Sequence, residues 1–410
     1  MISYSKKRAI RLISPHVENL IRKHTKFKFN LSTIRSESKN DVELFTALGI
    51  ETSCDDTAVG IIRSDRNILG EAIKLQQEIH EPKGGVVPTL AMVYHQTFLP
   101  QVVKSALDNA RLDVVRDIDV IAVTRGPGLA PCLSVGLNAA KTLAIVLGKP
   151  LIGVHHMEAH ALTARLTNPE LKFPFLVLLI SGGHTLILLA HGINKYTQLA
   201  TTLDDAIGEA FDKTARLLGL PWLKGRNGGP GAALEKFAAA GDPNRYQIPI
   251  PMTKEKRTKE NPNMSFSGLK TSINILLEKE NLDLRDFQVK RDVAAAFQAT
   301  AIRHLSDKLN LAFDWCKERD LALNGLVASG GAASNKAIRT SLEKLAHDKY
   351  NIELICPPPH LCTDNGLMIA WAGIERYRVG LIDDYTINHI PKWPIEELGT
   401  ISTASSSTKY

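Results

Sequence analysis

The most regular feature of the chain is a pattern that occurs twice. Residues 45–62 (FTALGIETSCDDTAVGII) set two apolar runs around a short segment of polar and small residues, which reads as strand, tight turn, strand. Residues 173–190 (FPFLVLLISGGHTLILLA) follow the same plan, with Ser181, Gly182 and Gly183 at the turn. Two hairpins of one design, about 125 residues apart, predict a duplicated α/β fold. Between them, residues 118–124 read as a buried strand broken by Gly126, Pro127 and Gly128. A helix over 131–147 follows, stopped by Gly148, then a strand at 151–154 and a helix over 156–166.

The second half continues in the same alternation. Residues 204–218 predict an amphipathic helix with Ala206, Ile207, Ala210, Phe211, Leu217 and Leu218 inward, closed by Gly219. Segments 222–231 and 251–267 read as polar loops. Then come a helix over 290–319, a strand at 323–328, a turn at Gly330 and Gly331, a helix over 334–347 and a last helix over 365–379. Residues after 396 read as frayed. The expected organisation is a leader at 1–40, a first lobe at 41–170, a second lobe at 171–396 whose last helix returns to the cleft, and a tail at 397–410.

Length and composition agree with this division. A chain of 410 residues is long for a single core, and 44% apolar with 23% charged residues is ordinary for a soluble globular protein. The longest apolar runs, 173–180 and 186–190, are strand-length, well short of the roughly 20 residues of a bilayer span, so no membrane is expected as a partner. Charge changes the picture more. Residues 1–40 carry ten Lys/Arg against two acids, while the whole chain is only +7, leaving the remainder near −1. The basicity therefore belongs to the leader, whose Arg, Lys and Ser content and scarcity of acids read as an organellar transit peptide. A basic tail that touches RNA is the alternative. The five cysteines, Cys54, Cys132, Cys316, Cys356 and Cys362, are odd in number and scattered, giving neither a disulfide framework nor a CxxC zinc site.

Candidate chemistry centres on residues 155–160 (HHMEAH), at a strand-to-helix junction. His156 and His160, four apart on a helix, share a face and can share one metal ion; the alternative is an ordinary surface or core pair. The zinc-protease pattern HExxH is absent, because Glu158 follows His156 by two positions and is rotated about 200° from the ligand face. A third ligand is best sought in residues 362–366 (CTDNG), where Asp364 is either that ligand or the N-cap of the last helix. Two histidines with a carboxylate suit Fe(II) or Zn(II) acting as a Lewis acid. The glycine turns at 181–185 and 330–335 can bring backbone N–H groups to a phosphate, although turn chemistry alone also explains them. Neither GxxxxGK[ST] nor GxGxxG is present. Asp205, Glu209 and Asp212 lie on one polar helix face, and a carboxylate there can bind ribose hydroxyls or simply be solvated. Glu51, Asp55 and Asp56 crowd the first hairpin turn. Outside the leader the basic clusters are Lys254, Lys256, Arg257 and Lys259, with Lys224 and Arg226.

These runs together resemble the universal tRNA threonylcarbamoyladenosine synthase family, once described as O-sialoglycoprotein endopeptidases, and with the leader its mitochondrial member. The matching runs are GIETSCDDT (49–57), RGPG (125–128), HHMEAH (155–160), SGGHT (181–185), FDKTARLLGL (211–220), SFSGLKT (265–271), SGGAASN (329–335) and CTDNG (362–366). The resemblance implies a two-lobed α/β fold of the actin/Hsp70/sugar-kinase-like (ASKHA) class with a central nucleotide cleft. It implies transfer of threonylcarbamoyl from threonylcarbamoyl-adenylate to N6 of the adenosine 3′ of the anticodon in ANN-decoding tRNAs, with release of AMP, in the mitochondrial matrix. By the same resemblance His156, His160 and Asp364 are ligands of one divalent metal, iron or zinc. Leu179, Ile180, Ser181, Gly182 and Gly183 hold the acyl-adenylate, Asp212 binds ribose, Asn335 contacts the adenosine part, and Asp55 assists transfer. The archaeal form's tyrosine ligand falls on Leu179, which cannot coordinate. The spacing of NGGPGAALE (227–235) leaves Gly229 or Gly231 as the ligand-binding glycine, and alignment on Glu235 favours Gly231. The expected partners are the acyl-adenylate and tRNA, with a homodimer as an open expectation.

Competing readings are a small-molecule kinase or ATPase of the same fold, a nucleotide-gated scaffold, and a metalloprotease. The HxxxH-plus-Asp set argues against the kinase, since Mg²⁺ prefers oxygen ligands; nothing suggests polymerisation, and the position of Glu158 disfavours the protease.

Overall fold

The structure, a computed structural model, describes residues 43–225, 228–253 and 255–402. The leader, Arg226, Lys254 and the end of the tail lie outside the described residues. The described residues from Leu44 onward belong to one compact unit, built on two five-stranded sheets. The first contains β1 (Thr46–Glu51), β2 (Thr57–Arg63), β3 (Ile68–Lys74), β4 (Val120–Gly126) and β5 (Leu151–His155), in the order β3-β2-β1-β4-β5. The second contains β6 (Phe175–Ile180), β7 (Thr185–Gly192), β8 (Lys195–Thr201), β9 (Leu326–Ser329) and β10 (Leu354–Ile355), in the order β10-β9-β6-β7-β8.

The duplication read from the two hairpins extends to the pairing. In each sheet the first two strands form an antiparallel hairpin, a third strand continues it, and two parallel strands are added on the other side of the first. β1 and β6 are buried along their whole length, as expected of central strands covered on both faces. This doubled α/β plan is the actin/Hsp70/sugar-kinase-like fold.

Nine helices of nine residues or more are described: α1 (Pro88–Ala110), α2 (Ala130–Leu147), α3 (His156–Thr167), α4 (Ile207–Leu217), α5 (Pro230–Ala238), α6 (Ser267–Lys279), α7 (Phe287–Lys317), α8 (Lys336–Tyr350) and α9 (Gly366–Arg378). One face of the first sheet (Leu48, Ile50, Val59, Ile61) packs with α1 and α2. Its other face (Ala47, Ile62, Val120, Ala122) packs with α3 and α9. Helix α3 lies between the sheets, sending Ala159 and Leu162 into the core of the first and Met157, Ala161 and Ala164 into that of the second.

The start of α9 is seated on the first sheet through backbone. A Cβ added at Gly60 would stand 2.4 Å from Leu367 N, one at Gly49 2.2 Å from Ala370 N, and one at Gly366 2.1 Å from Gly60 N. Only glycine fits these approaches, and the residue two positions before α9 begins is Asp364.

Several expectations are corrected. The last helix belongs by packing to the first sheet rather than to the second lobe. Helix α4 begins at Ile207 instead of 204, because Asp204 accepts hydrogen bonds from Phe266 N and Ser267 N and from the Ser265 and Ser267 hydroxyls, anchoring the start of α6. Asp205 pairs with Lys213 at 2.8 Å. The segment 222–231 ends in α5, whose Pro230 sits at the first helical position, where a proline's missing N–H costs nothing. The chain just after 396, expected to be frayed, forms a short helix at Leu398–Ser402 whose Leu398 is fully buried. Helix α2 is 18 residues long with mean hydropathy 1.5, enough by length and composition to cross a membrane; its Cys132, Leu133, Gly136, Leu137, Ala140 and Ala144 face is buried in this fold. Strand β3 and helix α1 had no counterpart in the sequence reading. All five cysteines are free.

The glycine seam generates a prediction. Gly60→Ala should force α9 off the sheet, costing about 1–3 kcal/mol as overpacked cores do, and should lower metal retention along with the denaturation midpoint. Chemical denaturation with metal analysis of the folded fraction checks both; an unchanged midpoint would contradict the seam.

Candidate metal centre and nucleotide cleft

Strand β5 delivers His155 and His156 to the start of α3. His155 is the N-cap: its Nδ1 accepts from Met157 N at 3.1 Å and its Nε2–H donates to Trp393 O at 3.0 Å. Burial pushes its pKa down to about 3, so it is neutral. Both nitrogens are occupied, which leaves it no free ligand atom.

The next histidine faces the cleft. His156 Nε2 and His160 Nε2 are 3.2 Å apart, and Asp364 Oδ1 lies 3.1 Å from His160 Nε2 and 3.5 Å from His156 Nε2. These three ligand atoms all fall within 4.8 Å of one another, and they form the one such group found among the described residues. Asp364 is free for this because Asn365 caps α9, its Oδ1 accepting from Met368 N at 2.8 Å. The capping alternative for the aspartate is thereby removed.

Behind the triangle stands Glu51, at the end of β1. Its Oε2 is 3.2 Å from His156 Nδ1 and accepts from the Thr124 hydroxyl, while its Oε1 accepts from Ser53 N. Such a carboxylate fixes the ring and its tautomer and raises the basicity of the coordinating nitrogen. Burial alone would lower His156, but the charges of Asp364 and Glu51 reverse this and raise it to about 9. Burial would raise Asp364, and His156 and His160 instead hold it well below the usual carboxylate range. Two imidazole nitrogens and a carboxylate oxygen, backed by a second carboxylate, fit a divalent metal of the iron or zinc type.

Asp55 and Asp56, in the β1–β2 turn, lie within the electrostatic reach of Asp364. Burial raises both carboxyls, and Asp364 adds to the effect. His184, the last residue of the β6–β7 turn, was not among the site residues expected from sequence. It is half-buried, and burial together with the charges of His156 and His160 lowers it to about 4, so it belongs to the surroundings of the triangle.

A cavity of about 210 Å³ adjoins, lined among others by Gly182, Asp212, Gly231, Glu235, Asn335 and Thr363. The starts of α4, α5 and α8 meet there, through Gly208, Gly231 and Asn335. Asp212 Oδ1 accepts from Gly231 N at 2.8 Å. Gly231 lines the cavity, whereas Gly229 is the N-cap of α5 with φ 107°. Asn335 caps α8 through Ile338 N at 3.0 Å, and its amide donates to Gln298 at 2.9 Å. Glu235 accepts from Lys336 N at 2.7 Å. Of the 179–183 hairpin, Leu179 and Ile180 are buried in β6 and do not line the cavity. The Ser181 hydroxyl accepts from Gly183 N and His184 N, shaping the turn that presents Gly182.

With this geometry in hand, comparison with known proteins is decisive. The family model for TsaD, tRNA N6-adenosine threonylcarbamoyltransferase, matches residues 67–371. The chain belongs to this family. A threonylcarbamoyltransferase from Arabidopsis thaliana, named as probable and mitochondrial, is 45% identical over 380 residues, covering 88% of this chain and 77% of the relative. The Zymomonas mobilis threonylcarbamoyltransferase is 43% identical over 353 residues, 85% of this chain and 91% of the relative. Among solved structures, T. kodakarensis HypF superposes with a TM-score of 0.52 at 16% identity, over 82% of this chain and 48% of that one, a likeness of fold.

The geometry of the histidine–aspartate triangle and of Glu51 behind it generates two predictions. Glu51→Gln should weaken metal affinity about 10–100-fold, read by competition with a chelator. Because the metal-free site holds a proton on His156 below about pH 9, a metal must displace it. Affinity should therefore rise with pH up to that value, with about one proton released per ion near pH 7, measured by calorimetry in buffers of different ionisation enthalpy.

Proposed function

We propose that the protein transfers threonylcarbamoyl from threonylcarbamoyl-adenylate to N6 of the adenosine 3′ of the anticodon in tRNAs that read ANN codons, releasing AMP. One observation carries the reading: Thr363 lines the glycine-rich cavity, and the next residue, Asp364, completes the histidine triangle. An adenylate seated in the cavity has its acyl end directed toward that triangle. Asp212 is the proposed ribose partner, and Glu235 and Asn335 flank the adenosine. Gly182 and the positive ends of the helices that start at the cavity favour the phosphate, while Gly231, its N–H held by Asp212, lets the backbone approach closely. Ser181 and Gly183 hold the turn, while Leu179 and Ile180 contribute backbone only.

The N6 amine attacks the carbamoyl carbonyl carbon, the bond to the phosphate oxygen breaks, and AMP leaves with the charge. Asp55, raised by burial, is the proposed acceptor of the amine proton. A divalent ion, iron or zinc, held by His156, His160 and Asp364, would supply Lewis-acid stabilisation of the developing charge. Since the donor is already activated, holding N6 in line is the larger contribution of the protein. Phosphates of the tRNA fall to exposed lysines and arginine of the polar loops, Lys224, Lys256, Arg257 and Lys259. A homodimer is proposed through the outer face of α1 and α2, supported by exposed Val93, Ile145 and Val146. The mitochondrial matrix is the proposed location, supported by the composition of the leader and by the mitochondrial relative.

The test incubates the full chain with threonylcarbamoyl-adenylate and an unmodified ANN-decoding tRNA, followed by digestion and nucleoside analysis. Modified adenosine and AMP should appear together. His156→Ala should abolish both while the circular dichroism spectrum and melting temperature are retained. Full activity in that variant would refute the role given to the metal, and absence of product with the unaltered chain would refute the function.

A further inference from the structure

We infer that Glu158 and Arg376 form a positioning pair that sets the rotation of α3 about its own axis, and with it the aim of His156 and His160. The inference rests on reading His156, His160 and Asp364 as a metal centre.

Glu158 lies two residues after one histidine and two before the other, so it projects from the opposite side of α3. It is fully buried, and Arg376 is 2% exposed. Arg376 Nη1 donates to Glu158 Oε2 at 2.9 Å and reaches Asn194 Oδ1 at 3.2 Å, while Glu158 Oε1 accepts from Asn194 N at 2.8 Å. Two helical turns along the same side of α3, Arg165 donates to Glu375 at 3.0 Å. Both pairs grip the last turn of α9, whose first turn is seated on β1 and β2 through glycine and follows Asp364. Asn194, in the turn between β7 and β8, adds the second sheet to the same junction. The element that carries two ligands is thus keyed, on its far side, to the element that follows the third.

The pair adds a directional contact to apolar packing. Of the buried apolar residues of α3, Ala159, Ala161 and Ala164 present only methyl groups, which index rotation poorly, while Met157, Leu162 and Leu166 hold the helix by packing alone. A turn of about 20° would move a ligand atom roughly 6 Å from the helix axis by about 2 Å, against a tolerance of about 0.2 Å in metal–ligand distance. A buried ion pair resists that turn, since parting it leaves uncompensated charge in the core. It adds little net stability over a well-packed apolar pair, so stability alone does not account for it.

The test uses cobalt(II) as probe, with visible absorption for geometry, chelator competition for affinity and thermal melting for stability. The unaltered chain should bind one cobalt, lost in His156→Ala; failure there sinks the metal reading rather than this inference alone. In the apolar double variant Glu158→Met/Arg376→Met, the melting temperature should stay within a few degrees while cobalt affinity falls by about tenfold or more and the visible bands shift. Glu158→Gln should behave alike in the cobalt readouts, and Glu158→Asp, which keeps the charge on a shorter arm, should recover part of the affinity. A folded double variant or Glu158→Gln variant with unaltered cobalt affinity and bands would overturn the inference. Loss of folding in all three would also overturn it, by assigning the pair to stability instead of aim.

Discussion

The site depends on one helix being laid backbone against backbone on two strands. Gly49 and Gly60 meet Gly366, Leu367 and Ala370 at distances that exclude any Cβ. Because protein interiors are close-packed and transmit strain, this seam fixes where α9 starts and so where the preceding Asp364 stands. His156 and His160 reach the same point from α3, which the two sheets enclose. A metal site assembled from residues 204 positions apart in the chain is therefore a consequence of packing, with little left to the loops.

How much of this was legible follows from what each signal physically encodes. The hairpins 45–62 and 173–190 were readable because apolar runs broken by a polar turn report pairing directly; their duplication carried the doubled α/β plan, while the actin/Hsp70/sugar-kinase-like class came from the family resemblance. The HxxxH spacing was readable because helix geometry alone puts both rings on one face. Asp364 was not separable from Asn365 by sequence, since both residue types cap helices; only the Asn365 contact to Met368 N divides the roles. Helix α5 was hidden in NGGPGAALE, where glycines signal a loop while the proline marks a helix start. Glu158 is instructive in another way. Sequence geometry showed which way it does not point, and its partner Arg376, 218 residues away, could not be found from local pattern.

Electrostatics explains why the centre is suited to a cation although the body is nearly neutral. Glu51, Asp55, Asp56 and Asp364 crowd one end of the first sheet, and burial and mutual repulsion raise Asp55 and Asp56. The histidines relieve part of this, which is why His156 is drawn up to about 9. A divalent ion would relieve more, replacing a proton with two charges at the same point. Binding and proton release are thus two views of one imbalance.

The duplication also suggests a division of labour. The turn of the first hairpin carries Asp55 and Asp56, with Glu51 at the end of its first strand; the equivalent turn of the second carries Ser181, Gly182 and Gly183 and no acid. One design has been given opposite electrostatic preferences. The acidic turn favours a cation and a proton acceptor, whereas the glycine turn, with the helix starts around it, favours a phosphate. An acyl phosphate lying between them would have its leaving group held by neutral N–H donors and its carbonyl beside the cation. Charge moves toward the phosphate as that bond breaks, so the proposed reaction runs from the acidic hairpin to the neutral one, along the line where Thr363 gives way to Asp364.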